Sequence, residues 1–163
     1  RRYEILFQEV GMSCDAKKIS EKYEDFLGEG HYFIPGAKEL LEDLSKKYHL
    51  YLASNGAVKV QMSRIQSAGI EKYLEKIFLS EQIGYEKPSP QFFEKCFAQI
   101  PDFKKEEALI LGDSLTSDIR GGKNAGILTV WFHPSGKKVE EEIVPDYEIG
   151  KLEELKTILS FYS

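Results

Sequence analysis

Residues 108–126 read ALILGDSLTSDIRGGKNAG. An apolar run closes on Gly112, a carboxylate follows at Asp113, and a second stands five residues on at Asp118. Such a run feeding a glycine-bearing helical stretch is a buried strand passing into a helix, the unit of a parallel sheet. The same letters spell G-D-S-L at 112–115, so Ser114 competes as a nucleophile with the two aspartates as holders of a cation. The surrounding elements decide between them.

Outward from this stretch the chain alternates. Toward the C-terminus come a strand at ILTVWF, a short strand at VPDYEI and a closing helix at LEELKTILSF. Toward the N-terminus lie PQFFEKCFAQI, with Pro90 in a first turn and Phe92, Phe93, Cys96, Phe97 and Ile100 on one face, then KIFLS as a strand. Further back are AVKVQMSRIQSAG, a helix stopped by Gly69, the strand HLYLAS, and the helix AKELLEDLSKKY with Leu40, Leu41, Leu44 and Tyr48 as its stripe. Helices alternating with short apolar strands predict an α/β fold whose parallel sheet is covered on both faces. Residues 1–33 differ: Tyr3, Leu6, Phe7 and Val10 share one helical face, and Asp15 is an N-cap for AKKISEKYEDFLG, with Ile19, Tyr23, Phe26 and Leu27 on a second. This divides the chain into a helical segment, 1–33, and an α/β part, 34–163. The stretch 133–145, HPSGKKVEEEIVP, reads as a solvated polar loop.

Composition narrows the function. The chain has 163 residues, 42% hydrophobic and 30% charged, enough for one ordinary core. A net charge of −5 with no long basic run disfavours a nucleic acid polymer as partner. No apolar run approaches transmembrane length. Cys14 and Cys96 stand alone, without metal-ligand spacing, as free thiols of a reducing cytoplasm. His31, His49 and His133 also lack such spacing, and Trp131 and Phe132 read as core.

In parallel sheets, ligands gather at the carboxyl ends of the strands. Ser54-Asn55-Gly56 follows one strand and precedes a helix, where a hydroxyl and backbone N–H groups meet an anion. Lys87 lies in a loop stiffened by Pro88 and Pro90, and Asp113 follows the strand of the opening stretch, with Asp118 about a turn into the next helix. Singly, each has a plainer reading: a turn, a surface lysine, an N-cap, a carboxylate favoured by a helix dipole. Together they make a phosphate and Mg²⁺ site. Hydroxyl and ammonium neutralise a doubly charged phosphate, and Mg²⁺ needs only one or two carboxylates beside substrate oxygens and water.

ASNG, SEQIGYEKPSPQFF and LILGDSLTSDIRGGKNAG, in this order, resemble motifs II, III and IV of the haloacid dehalogenase (HAD) superfamily, over most of residues 35–163. The resemblance implies a Rossmann-like, HAD-like core at 34–163 with a partial helical cap at 1–33. It implies phosphate binding by Ser54, Asn55, Gly56 and Lys87, catalytic roles for Ser54 and Lys87, and Mg²⁺ at Asp113. Asp118 then positions metal-bound water or the lysine. The family attacks phosphate through the first Asp of a D-x-D on a central strand. No two aspartates here, at 15, 25, 43, 102, 113, 118 and 146, lie two positions apart, so this chain holds no nucleophile. The expectation is the C-terminal part of a longer enzyme, lacking its first strand, partnered by its missing N-terminal segment and inactive alone. Substrates are expected among small phosphorylated metabolites. Similarity to the pyrimidine 5′-nucleotidase branch puts nucleoside monophosphates first, before sugar phosphates and phosphoglycolate, with dehalogenase and phosphonatase chemistry open. The rivals are a non-catalytic HAD-like binding module and a GDSL-type serine esterase. The esterase needs a D-x-x-H after its serine, and Val130 stands three before His133.

Overall fold

A computed structural model of the chain describes residues 2–136 and 142–162, so the polar loop expected at 133–145 falls in part, at 137–141, outside the described residues. Among the described residues five strands form, all in parallel pairs, in two ladders. Strand β1 (Tyr51–Ser54) pairs with β2 (Lys76–Leu79), while β3 (Leu109–Gly112), β4 (Leu128–Phe132) and β5 (Tyr147–Ile149) stand in that order. The expectation is one parallel sheet lacking its first, central strand, and the described strands form two parallel ladders. A ladder needs strands under 5 Å apart, and among the described residues no pairing joins β1 to β3.

Helices α1 (Arg2–Glu9) and α2 (Ala16–Gly28) precede the α/β part, and Asp15 caps α2 by accepting from the Lys17 and Lys18 amides at 3.1 Å each. The α/β part adds α3 (Ala37–Leu44), α4 (Val58–Ala68), α5 (Ser80–Ile83), α6 (Pro90–Phe97), α7 (Arg120–Ala125) and α8 (Glu154–Leu159). The one-turn α5 carries too few residues for an apolar period and so escapes a periodicity reading. β5 begins at Tyr147, later than VPDYEI suggests. Pro145 has no N–H to give a ladder, and Asp146 is turned aside: its Oδ2 accepts from Thr129 N at 2.8 Å and Thr129 Oγ1 at 2.7 Å.

The core lies on both faces of the β3–β4–β5 ladder. On one, Leu40 of α3 and Leu155 and Ile158 of α8 meet Val130, Phe132 and Ile149. On the other, Phe92, Phe93 and Cys96 of α6 and Ala125 of α7 meet Ile127, and Phe78 of β2 joins them. Burial lifts the Cys96 thiol to about 12, an inert side chain. The paired glycines of α7 follow from closeness: a Cβ on Gly122 would sit 2.5 Å from Ile110 Cγ2 and 2.7 Å from Thr129 Cγ2, and one on Gly121 2.5 Å from Phe93 Cε2.

The helical segment leans on α4. Ser63 Oγ donates to the Gly28 carbonyl at 2.9 Å, and Lys59 pairs with Asp25. Leu6, Val10 and Phe26 from its apolar stripes stay 46%, 55% and 68% exposed. Among the described residues no helix is long and apolar enough to cross a membrane.

Candidate functional site

The polar residues picked out from the sequence leave the chain at the ends of β1 and β3 and in the loop between α5 and α6. β1 delivers Ser54 at its last position, and the Ser54 hydroxyl oxygen accepts from the Gly56 amide at 3.1 Å. The hydroxyl hydrogen stays available to an anion. The Asn55 side chain is engaged apart from the backbone N–H expected to face an anion. Its Nδ2 donates to the Lys87 carbonyl and its Oδ1 accepts from the Lys87 amide, both at 2.8 Å. That reciprocal pair makes the Asn55 side chain a brace between two loops. The start of α4 is also less open than expected, because the Gly56 amide is taken by Ser54 and the Val58 amide donates to Glu81 Oε2 at 2.9 Å. Glu81 lies inside the SEQIG run, but nothing in its spacing signals a partner 23 residues upstream.

Held by Asn55, Lys87 directs its ammonium inward. Nζ donates to the Ala53 carbonyl and to Asp118 Oδ1, each at 2.6 Å, and the two side chains of the ion pair are 8% and 9% exposed. An ammonium carries three hydrogens. Two are placed by these bonds, and the third has no acceptor among the described residues.

Asp118 reaches Lys87 through a local irregularity. Residues Leu115–Ile119 form a single π-turn ahead of α7, where the sequence predicts the start of an ordinary helix. Ser114 anchors the turn: its carbonyl accepts from the Asp118 amide at 2.9 Å and the Ile119 amide at 3.1 Å, and its Oγ accepts from the Ser117 amide at 3.2 Å. The wide turn folds Asp118 back over the strand end, where Oδ2 accepts from the Ser114 amide at 3.1 Å. Position 112 has room only for glycine, since a Cβ there would lie 2.3 Å from Asp118 Oδ2. π-Turns concentrate at functional sites because they re-aim a side chain without ending the helix. The Ser114 hydroxyl, engaged with Ser117 and 3.4 Å from Thr116 Oγ1, has no histidine partner among the described residues, which leaves the esterase reading without a base.

Asp113 is exposed, and among the described residues its carboxylate accepts no bond. Its backbone carbonyl accepts from Trp131 Nε1 at 3.0 Å, a contact no motif announces. Among the described residues no three His, Cys, Asp or Glu side chains gather as a metal cage. Mg²⁺ does not require one: it holds one or two carboxylates and takes the rest of its octahedron from water and phosphate. An open Asp113 carboxylate, with Asp118 beyond it and no soft donor among these groups, fits that pattern. Asp118 already accepts one bond on each oxygen, so Asp113 is the more available ligand.

Comparison with known proteins identifies the family. A family model described as haloacid dehalogenase-like hydrolase matches residues 2–132. The HAD-hydrolase YfnB of Bacillus subtilis (strain 168) is 42% identical over 159 residues, 98% of this chain and 68% of that protein. Its crystal structure, in a form bound to magnesium, superposes with a TM-score of 0.90 over 97% of this chain and 69% of that one. The pyrimidine 5′-nucleotidase PynA of Streptococcus pneumoniae (strain ATCC BAA-255 / R6) is 37% identical over 155 residues, 94% of this chain and 65% of that protein. The chain thus spans about two thirds of the length of these relatives.

Proposed function

The chain belongs to the haloacid dehalogenase-like hydrolase family, and from that we propose that the protein is a Mg²⁺-dependent phosphomonoesterase acting on nucleoside monophosphates through an aspartyl-phosphate. The observation that carries the proposal is the buried Lys87 ammonium, fixed by Ala53 and Asp118 with one hydrogen to spare. A charge so held contributes little as a surface group and much as a preorganised donor to an anion. The likeness to PynA supports the choice of substrate class.

In this reading the Ser54 hydroxyl donates to one phosphoryl oxygen and Lys87 to another. Asp118 keeps the lysine paired and aimed, and Asn55 and Glu81 brace the loops. Asp113 is the first carboxylate to meet the metal. Bound Mg²⁺ would supply charge stabilisation during in-line displacement. The attacking carboxylate is not among the aspartates of this chain, none of which form a D-x-D, and is supplied by a further segment of the protein.

The test is hydrolysis of a nucleoside monophosphate and of p-nitrophenyl phosphate, with and without Mg²⁺. The 163-residue chain alone is expected to be silent, and robust turnover by it refutes the assignment of the nucleophile elsewhere. Release of halide from a 2-haloacid, with no phosphate released by the full-length protein, would overturn the phosphatase reading.

A further inference from the structure

A carboxylate with no side-chain partner has to be aimed through its backbone. Asp113 is such a group, and the bond that fixes its backbone comes from the sole tryptophan of the chain. We infer that Trp131 is a positioning residue, setting the Asp113 loop in the geometry that receives a divalent cation. This rests on the reading of Asp113 as the metal ligand.

Four observations converge on the indole. Trp131 is paired in register with Gly112, so its side chain leaves β4 directly beside the residue that precedes Asp113. It is 9% exposed, and a buried indole N–H needs an acceptor; the one it finds is the Asp113 carbonyl at 3.0 Å. One part of the ring packs with Leu115 and Ile119, the apolar side chains of the π-turn. Another stacks on His133, with ring centroids 4.0 Å apart and planes 17° from parallel. His133 is held in turn, Nδ1 by Glu148 Oε1 at 2.8 Å and Nε2 by Ser135 Oγ at 2.6 Å. The indole therefore touches both ends of the 113–119 segment and is backed by a ring that is itself fixed. Partners one step removed from a metal ligand commonly change metal affinity by about 10- to 100-fold when lost.

The decisive variant is Trp131→Phe, which keeps an aromatic ring against His133 and removes the N–H together with part of the ring. Two readouts are taken on the same protein. Without metal, amide hydrogen exchange at residues 113–117 is expected to quicken by about tenfold while β4 and β5 keep their protection. With Mn²⁺ as the probe, the dissociation constant from water proton relaxation is expected to rise by about tenfold. Unchanged exchange in the loop overturns the inference, and so does exchange that quickens equally everywhere, which marks a packing role alone. Asp113→Asn separates the two claims. If it binds Mn²⁺ as the unaltered protein does, the ligand assignment falls, while the exchange result still judges the hold of Trp131 on the loop. Should Trp131→Phe fold poorly, His133→Gln keeps the indole N–H and removes the stacked ring. It is expected to quicken the same segment to a smaller degree, and no change there counts against the inference.

Discussion

Replacing Asp118 by asparagine removes one charge from an ion pair that is closed to solvent on both sides. The Lys87 ammonium stays buried, with the Ala53 carbonyl as its remaining strong acceptor and a neutral amide where a carboxylate stood. Breaking a buried pair from one side generally costs about 3–5 kcal/mol, because the surviving charge loses its compensation. Ala53 softens the loss, so the low end applies, about 3 kcal/mol. For a chain of this size each kcal/mol moves the thermal midpoint by about 2–4 °C, which places the expected drop at about 6–12 °C. The assay is thermal unfolding followed by circular dichroism and by the fluorescence of the single tryptophan. A companion double variant, Lys87→Met with Asp118→Leu, removes both charges and is expected to recover most of the lost stability, since apolar replacement of a whole buried pair is often neutral or better. A drop below about 2 °C for Asp118→Asn, under 1 kcal/mol by that conversion, would show that water reaches the pair and that the ammonium is not held as described. A double variant no better than the single one would refute the charge argument separately.

Four further variants have outcomes set by the same geometry. Ser114→Ala removes a hydroxyl that caps the π-turn, so it is expected to lower stability by about 1 kcal/mol in urea unfolding yet, in the full-length protein, preserve phosphatase turnover, whereas Asp113→Asn there abolishes Mg²⁺-dependent turnover. Gly122→Ala forces a methyl group against Ile110 and Thr129 and is expected to cost about 1–3 kcal/mol by the same unfolding measurement, with no gain from helix propensity visible. At Asp146, burial pushes the carboxyl up, but the bonds from Lys123 and Thr129 outweigh it and hold the group below the ordinary carboxylate value. A depressed acid stabilises the fold above its unfolded value and loses that contribution as pH falls through the folded one. Asp146→Asn should therefore flatten the loss of stability below about pH 4, as seen in midpoints measured across an acid series.

The opening stretch made the α/β core and the loops bearing Ser54, Lys87, Asp113 and Asp118 legible, because strand ends and helix starts are local patterns. The braces were not legible, for a physical reason. Asn55 meets Lys87 at 32 residues' separation, Glu81 meets Val58 at 23, and Trp131 meets Asp113 at 18. Each is a bond created by the approach of two elements, and no single-chain periodicity encodes that approach. The π-turn was hidden for another reason. Its spacing differs from an α-helix by one residue per turn, and the apolar positions Leu115 and Ile119 satisfy both. Asn55 and Gly56 carry bonds that the motif does not announce: the Asn55 side chain braces the Lys87 loop, and the Gly56 amide donates to the Ser54 hydroxyl oxygen.

Lys87 ties together two strand ends that no backbone bond joins among the described residues. Ser54 rides on the end of β1 and Asp113 follows β3, and Lys87 Nζ gives one hydrogen to a β1 carbonyl and another to the turn beyond β3. One nitrogen thus registers the two strand ends against each other, beside the apolar packing of Phe78 against α6. A shift of either end stretches one of two 2.6 Å bonds, so the lysine acts as a tether whose strain reports the alignment of the site.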